Sequence, residues 1–537
     1  MTRPTTTGKA QDLITFTRST TGTALAKISY GEELVTNGTF DNDAVGATPS
    51  TWQTNSANAS LIKQSDGTAL FSSASYAYAR VANADRPIIP AGVYKVSFSI
   101  SGTSGSLSNV HVGVGTGGNT ISGDGDYQYL FTSTSEQAYE LQIRPNGGGT
   151  GAFKIDNISI KEVLYDQPDG TLQLFNHPIN KPRIEYDASG NCLGLLVEEA
   201  RTNLVTYSED FSNVQWAPVR TAPLALDSAG PDGKSNSAVK LLDNSAGGTG
   251  TVYLRDTVTV STSTTYTESV YAKADQLSQL LMYANAFTTP QNNGFVFDLS
   301  NGTYSAYSGT PSMTAAMQSV GNGWYRCSIT FTTDATDTSG QVQMYLYKDN
   351  GVQVPLDGTS SILLFGAQFE QGSFPTSYIP TSGSTVTRAA DIATLAVSEF
   401  GYNQDQGSVV VEFDHNDLND ESTQYLLSST SSSRFIYNNA NSQNWQAFDG
   451  QSALPFGNVL GNGLPVKLGL GMGSSESSSI NNGVLQNTTN ATPQDNVGSL
   501  LYFGLRYNGA NSLNGHIKSV QYYPLRLSNA QLQALTV

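Results

Sequence analysis

Phe153-Lys-Ile-Asp-Asn-Ile-Ser-Ile160 sets apolar residues against polar ones, as do Val93-Tyr-Lys-Val-Ser-Phe-Ser-Ile100 and Val409-Val-Val-Glu-Phe413. A period near two is that of a strand with one buried face. Outward from these runs, Gly147-Gly-Gly149 and Gly461-Asn-Gly463 supply the positive-φ positions that tight turns need. Antiparallel sandwiches are the expected result. One good helical ending stands out, Leu527-Ser-Asn-Ala-Gln-Leu-Gln-Ala-Leu535, where Ser528 caps a short turn and Leu532 and Leu535 share a face. A chain of 537 residues is too long for one core and suits three domains.

Composition narrows the function. With 27 Tyr, 21 Phe and only 13% charged residues, the chain favours strands over helices. A formal charge of −17 repels nucleic acid and anionic lipid, whose binding needs a cationic surface. The opening Met1-Thr-Arg-Pro-Thr-Thr-Thr-Gly-Lys-Ala10 has no apolar h-region and no later run approaches a membrane span, so a soluble protein made in a cytoplasm is expected. Cys192 and Cys327 lie in different segments and are expected as buried thiols.

Enzyme motifs are weak. His111, His177, His415 and His516 stand in separate contexts, without zinc-ligand spacing. There is no Gly-x-Ser-x-Gly elbow, and neither thiol signals a Cys-His dyad. Gly113-Val-Gly-Thr-Gly-Gly118 matches the dinucleotide fingerprint by letter but is followed by no helix, so it reads as a loop. Glu198 and Glu199 are adjacent, which points them to opposite faces rather than around one glycosidic bond; they read as interdomain contacts. A non-catalytic protein is expected.

Two segments look like diverged copies of one module. Glu33-Leu-Val-Thr-Asn-Gly-Thr-Phe40 followed by Trp52 parallels Asn203-Leu-Val-Thr-Tyr-Ser-Glu-Asp-Phe211 followed by Trp216. Tyr94-Lys-Val-Ser97 then parallels Tyr266-Thr-Glu-Ser269, and the copies close on Ile155–Ile160 and Leu364–Glu370. The order of these motifs resembles the galactose-binding-like jelly roll of carbohydrate-binding modules. Gly194-Leu-Leu-Val-Glu-Glu-Ala-Arg-Thr-Asn-Leu204, Thr376-Ser-Tyr-Ile-Pro380 and Arg388-Ala-Ala-Asp391 resemble a signature of tailed-bacteriophage fibre and minor tail proteins. In that signature a segment like Ile14-Thr-Phe-Thr-Arg-Ser-Thr-Thr-Gly-Thr23 runs on soon into one like Pro182-Arg-Ile-Glu-Tyr-Asp187. Here they are far apart, which implies that the first jelly roll is inserted into a connecting unit whose halves meet in space. Gly407–Phe413 and Asn514–Ser528 resemble the concanavalin A-like (laminin G-like) sandwich that ends such proteins.

The resemblances imply an all-β chain of three tandem β-sandwich (jelly-roll) domains with a composite N-terminal connector. Its parts are an arm and first connector half at 1–31, a jelly roll at 32–163, the second connector half at 164–202, a second jelly roll at 203–388 and a lectin-like sandwich at 389–537. They imply a virion protein, made in the host bacterial cytoplasm, that partners other virion proteins, assembles as a homo-oligomer such as a trimer, and recognises host surface polysaccharide. A decoration or adaptor protein with purely protein contacts is the rival reading; a depolymerase is a third, against which the lack of a long region of short repeating β-coils argues.

No cofactor is required, and a structural calcium is implied only by the jelly-roll resemblance, through Asp156 with Thr39. The alternative for Asp156 is to accept backbone hydrogen bonds at a sheet end. Ala367 stands at the corresponding place in the second copy. Trp52 and Tyr127 are candidates to stack on sugar rings, as is Trp445, expected exposed in the polar loop Asn441–Gln446, while Trp52, Trp216 and Trp324 also suit a core.

Overall fold

The computed structural model describes residues 14–537 except 56, 74–77, 106–109, 115–116, 122, 134, 139–140, 146–149, 310–311, 350, 416–422, 430–433, 440–443, 449–452, 458–464 and 491–497. The Gly147–Gly149 and Gly461–Gly463 turns and the N-terminal ten residues lie outside the described residues. The chain is all-β, with one short α-helix among the described residues, Asn529–Leu535, closed by a Ser528/Gln531 capping box and burying Leu532. It divides into two compact units, Lys27–Thr171 and the residues on either side.

Within Lys27–Thr171, a five-stranded sheet running from Gly117–Ile121 to Trp52–Thr54 faces a sheet built on Gly125–Ser133, Gly92–Gly105 and Gly151–Tyr165. The Gly-x-Gly-x-x-Gly stretch contributes two paired strands, Val110–Val114 and Gly117–Ile121, and no helix. Phe153, Ile155, Ile158 and Ile160 all point into the core, which strict alternation forbids. A β-bulge between Asp156 and Ser159, with Asn157 at φ 53°, absorbs the extra residue and resets the phase.

The second sandwich pairs two six-stranded sheets, one running from Ala217–Val219 to Thr303–Ala306, the other from Leu226–Ser228 to Met313–Gly321. Its closing strand Ser361–Gln371 carries the same device: Leu364, Ala367 and Phe369 are buried in the core, and Gly366 turns the chain at φ 61°. The bulge therefore aligns Gly366 with Asn157 and Phe365 with Asp156. Ala367 corresponds instead to the core residue Ile158, which corrects the alignment read from sequence. Each copy's Phe…Trp pair is a tilted ring contact inside its core, Phe40–Trp52 at 5.8 Å and Phe211–Trp216 at 5.0 Å.

The third sandwich has two seven-stranded sheets, and segments from the N-terminal half edge both. Thr15–Thr17 pairs with Ile392–Ala396 in one sheet, and Cys192–Val197 pairs with Gly515–Tyr523 in the other. At Gly194, φ 127°, a Cβ would sit 2.5 Å from the Ile517 carbonyl oxygen, so only glycine admits this pairing. His516 on that same strand lies between Glu185 (Nε2–Oε2 2.7 Å) and Asp414 (Nδ1–Oδ1 2.8 Å). Burial alone would lower its pKa, but the two carboxylates prevail and raise it to about 10, making it a cationic clamp.

Beside this edge is a buried charge knot. Arg18 Nη1 donates to Asp391 Oδ1 at 2.9 Å, and Arg183 reaches both Asp391 and Glu198, the latter at 2.8 Å. Arg388 lies 3.4 Å from Glu198. Ser377 donates its amide N–H (2.8 Å) and hydroxyl (2.6 Å) to Glu198, while Arg183 donates to the Thr23 carbonyl at 2.9 Å. Burial would raise the Glu198 carboxyl; the guanidiniums of Arg388 and Arg183 with the Ser377 bonds hold it well below the carboxylate range instead. Residues 18–23, 177–198 and 376–391 meet here.

Removing one anion from this knot should leave guanidiniums uncompensated in an apolar interior. Asp391→Ala is expected to cost about 3–5 kcal/mol, read as a fall in the urea midpoint.

Candidate glycan-binding face

None of the tryptophans proposed for stacking is available to a ligand. Trp445 is 2% exposed: Asn444–Phe448 is a strand between Arg434–Asn439 and Ala453–Pro455, and its alternation sends Trp445 and Ala447 inward. Its ring lies 4.8 Å from Phe413 and 5.5 Å from His415. The reading of Trp445 as an exposed loop residue is thus corrected; Asn441–Gln443 lie outside the described residues. Trp52, 4% exposed, belongs to the first core. Tyr127 is half-buried, its ring stacked on Phe98 at 5.7 Å and its hydroxyl donating to the Gly123 carbonyl at 3.0 Å. Cys192, expected buried, is exposed because it begins its strand beside the turn at 187–191; Cys327 is buried, which pushes its thiol up.

Asp156 faces out from the bulge, and burial raises its pKa. Thr39 is exposed. The Gly38 carbonyl, a natural cation donor of the opening segment, accepts the Ile158 N–H at 3.0 Å. The Lys63 ammonium, 3.9 Å from Asp41, already supplies positive charge that acts on Asp156. Asp156 Oδ1 is buried without a hydrogen-bond partner, but among the described residues no three His, Cys, Asp or Glu converge on a point.

The second sandwich carries the strongest candidate. In its first sheet Leu254 and Val258, Val342, Met344 and Leu346, and Leu280, Met282 and Ala284 point inward. Their neighbours therefore point outward: Tyr253, Arg255 and Thr257 from Tyr253–Thr259; Gln341, Gln343, Tyr345 and Tyr347 from Ser339–Tyr347; Leu281, Tyr283 and Asn285 from Gln279–Asn285. Pairing places Tyr253, Tyr345 and Leu281 in one row, Arg255, Gln343 and Tyr283 in the next, and Thr257, Gln341 and Asn285 in a third.

Tyr253 and Tyr345 stack at 4.3 Å with 24° between their planes. Tyr283 meets Tyr345 edge-on at 6.0 Å and Tyr307 at 5.7 Å. Tyr253, Tyr283, Tyr307 and Tyr345 are all half-buried, held in place yet still open to solvent. The Tyr345 hydroxyl donates to Gln343 Oε1 at 2.6 Å and Gln343 Nε2 to Gln341 Oε1 at 2.8 Å, a relay that orients both amides. Burial, reinforced by Tyr253, Tyr283 and Tyr307, raises the Tyr345 phenol, so it stays a neutral donor. Rigid half-exposed rings are what the apolar face of a sugar needs; Gln343, 1% exposed, braces the Tyr345 hydroxyl and Gln341, and Gln341 is the amide of the pair that reaches the surface. A sequence signal existed: Gln341-Val-Gln-Met-Tyr-Leu-Tyr347 puts every polar or aromatic residue on one parity.

Acid chemistry inside the same sandwich is sealed off. Asp256 and Glu268 lie at inward positions and are 2% and 3% exposed, which denies substrate access. Burial, with Asp256 adding to it, raises Glu268 well above its ordinary value. The folded state thus holds a proton that the unfolded chain releases above about pH 4.3. Stability is therefore lost as pH rises from there toward the folded pKa.

No family model and no curated protein matches the chain. Solved structures similar to it include a CBM40 of a Ruminococcus gnavus IT-sialidase bound to α2,3-sialyllactose, 17% identical with TM-score 0.20, covering 25% of this chain and 84% of that one. A CBM22 tandem of Paenibacillus barcinonensis Xyn10C is 12% identical at TM-score 0.21, covering 65% and 100%. A Trypanosoma rangeli sialidase in complex with sialic acid is 12% identical at TM-score 0.23, covering 95% and 98%. Scores of this size carry neither ligand nor activity across to this chain.

Two outcomes follow for the pure protein. Glu268→Gln, which keeps the shape and removes the titration, should raise the melting temperature at pH 8 by a few degrees and flatten its fall between pH 5 and pH 8. Calcium added to the metal-stripped chain should leave its melting temperature unchanged; a rise abolished by Asp156→Ala would restore the calcium assignment.

Proposed function

We propose that this chain is a non-catalytic, fibre-type virion protein of a tailed bacteriophage that contributes to adsorption by binding host-surface glycan through the tyrosine face of its second sandwich. The observation that carries the glycan part is that face: four half-buried tyrosines, two of them stacked at 4.3 Å, beside the half-buried Gln341 on the outer side of one sheet. The virion part rests on the resemblance of residues 194–204, 376–380 and 388–391 to the fibre signature. Glu198, Asn203, Ser377, Arg388 and Asp391 from those segments are buried in structural bonding and offer nothing to a substrate, which suits an architectural role.

Modest affinity per site suffices for adsorption, because a virion carrying many copies multiplies weak contacts through effective concentration. Tyrosine suits such a site, presenting a large rigid surface with only two side-chain torsions to fix.

Full-length protein should retain host surface polysaccharide in affinity electrophoresis without releasing reducing sugar, and Tyr345→Ala and Tyr283→Ala should each weaken retention about tenfold. Unchanged retention in both variants would remove the face from the reading. Incorporation into virions without retention of any host polysaccharide would put the decoration or adaptor role in its place, and reducing sugar released by the pure protein would restore the depolymerase.

A further inference from the structure

Arg255 stands in the middle row of the tyrosine face, between Ala217 and Gln343 across the sheet and between Tyr253 and Thr257 along its own strand. It is half-buried, and its guanidinium makes no ion pair or hydrogen bond among the described residues. Among the described side chains of this unit the other arginines are engaged: Arg18, Arg183 and Arg388 in the knot, Arg201 on Glu199, Arg526 on Glu476, Arg220 on Thr251, Arg326 on Ser269 and Tyr271, and Arg506 over Tyr425 and Tyr507.

Among the described residues no carboxylate pairs with Arg255 or stands beside it in its rows. Its row continues through Gln343, Tyr283 and Gly294, and the adjoining row holds Thr257, Gln341 and Asn285. Asp256, next in sequence, faces the opposite side of the sheet, where its carboxylate accepts from Gln215 at 2.6 Å. On the same face Asp298 lies four residues along the strands and three strands across, roughly 19 Å away from standard sheet spacings, well beyond a Debye length of about 8 Å. Asp298 moreover accepts from Ser300 and Asn301 in its own turn.

In a chain of net charge −17, an unpaired cation on the strand that flanks the tyrosines, next to Tyr253, makes a local positive spot. We propose that the tyrosine face takes an acidic glycan, with Arg255 pairing the carboxylate of a uronic or nonulosonic acid unit while Tyr283 and the Tyr253–Tyr345 stack carry the sugar rings. This deepens the glycan-binding reading above and rests on it. The chemistry is specific to arginine, whose planar fork matches a carboxylate with two parallel N–H bonds and keeps its charge at any working pH. A neutral sugar would leave that fork unsatisfied under its ring, which disfavours it relative to an acidic one.

The test uses the full chain in affinity electrophoresis and calorimetry against polygalacturonate, hyaluronan and polysialic acid, each beside its carboxyl-reduced counterpart. The uronate and sialate arms tell the two acid sources apart. At least one acidic polymer should bind about tenfold more tightly than its reduced partner, and that preference should fall with added salt. Arg255→Gln should remove the preference by weakening the acidic polymer without weakening the reduced one, Arg255→Lys should restore only part of it, and Tyr345→Ala should weaken both forms alike. Melting temperatures equal to wild type confirm that Arg255→Gln leaves the fold intact.

Equal binding of acidic and reduced polymers, with Arg255→Gln silent and Tyr345→Ala still weakening both, overturns the assignment of Arg255 and leaves the glycan face standing. Retention of no polymer by any variant overturns both. A fall in oligomeric state on Arg255→Gln or Tyr283→Ala in light scattering would mark the face as an interface between copies and overturn the proposal as well.

Discussion

Three guanidiniums and two carboxylates, all at most about 5% exposed, meet where residues 18–23, 177–198 and 376–391 converge. Taking these charges out of water is costly, and an apolar cluster of the same volume would be no less stable. What the knot imposes is register. Each anion accepts from more than one arginine and from neighbouring main-chain or hydroxyl groups, so any other docking of these segments leaves a buried charge alone. The strands that edge the third sandwich and the chain closing the second are thereby fixed to one another. Gly194 and the His516 clamp hold the same edge from the other side.

The two jelly rolls show how one scaffold diverges. Both close on a bulged strand, a left-handed residue and a Phe…Trp pair in the core, because a strand that must bury apolar residues on either side of an odd insertion needs a local phase reset. Outward-facing positions are free of that constraint. The first copy has Asp156 there, whereas the second has Phe365, which joins Tyr271 and Tyr378 in a satellite cluster. The same freedom let one sheet of the second sandwich acquire its row of tyrosines while its inner face kept Leu, Met and Val.

Aromatic residues near a strand pattern divide into two kinds that look alike by letter. Trp52, Trp216, Trp324 and Trp445 each fill a core, since an indole has more apolar surface than any other side chain and contributes most when sealed. Tyr253, Tyr283, Tyr307 and Tyr345 of the outer face are packed on one another and remain half-exposed, with the Tyr345 hydroxyl engaged by Gln343 and that of Tyr283 by the Asn292 carbonyl. Buried carboxyls follow the same division. Asp256 and Glu268 are enclosed between sheets, so the acids that could be suspected of bond cleavage face apolar packing instead of solvent.

Sequence alone determined the all-β class, the sandwich pattern and the capped terminal helix, because period-two alternation, turn glycines and the Ser528 cap are local effects written into neighbouring residues. It also showed Glu198 and Glu199 facing apart, since successive side chains of an extended chain alternate. It misplaced Trp445, whose polar neighbours in sequence are not its neighbours in space. It aligned Ala367 with Asp156, because a bulge shifts phase without changing any letter. Cys192 was misread because its exposure depends on which end of a strand it occupies. Only the tertiary structure decided which parity of each strand faces a partner sheet, and hence that Tyr253, Arg255, Tyr283 and Tyr345 share one face; they come from three strands up to 92 residues apart, and hydrogen-bond register across a sheet is a long-range property.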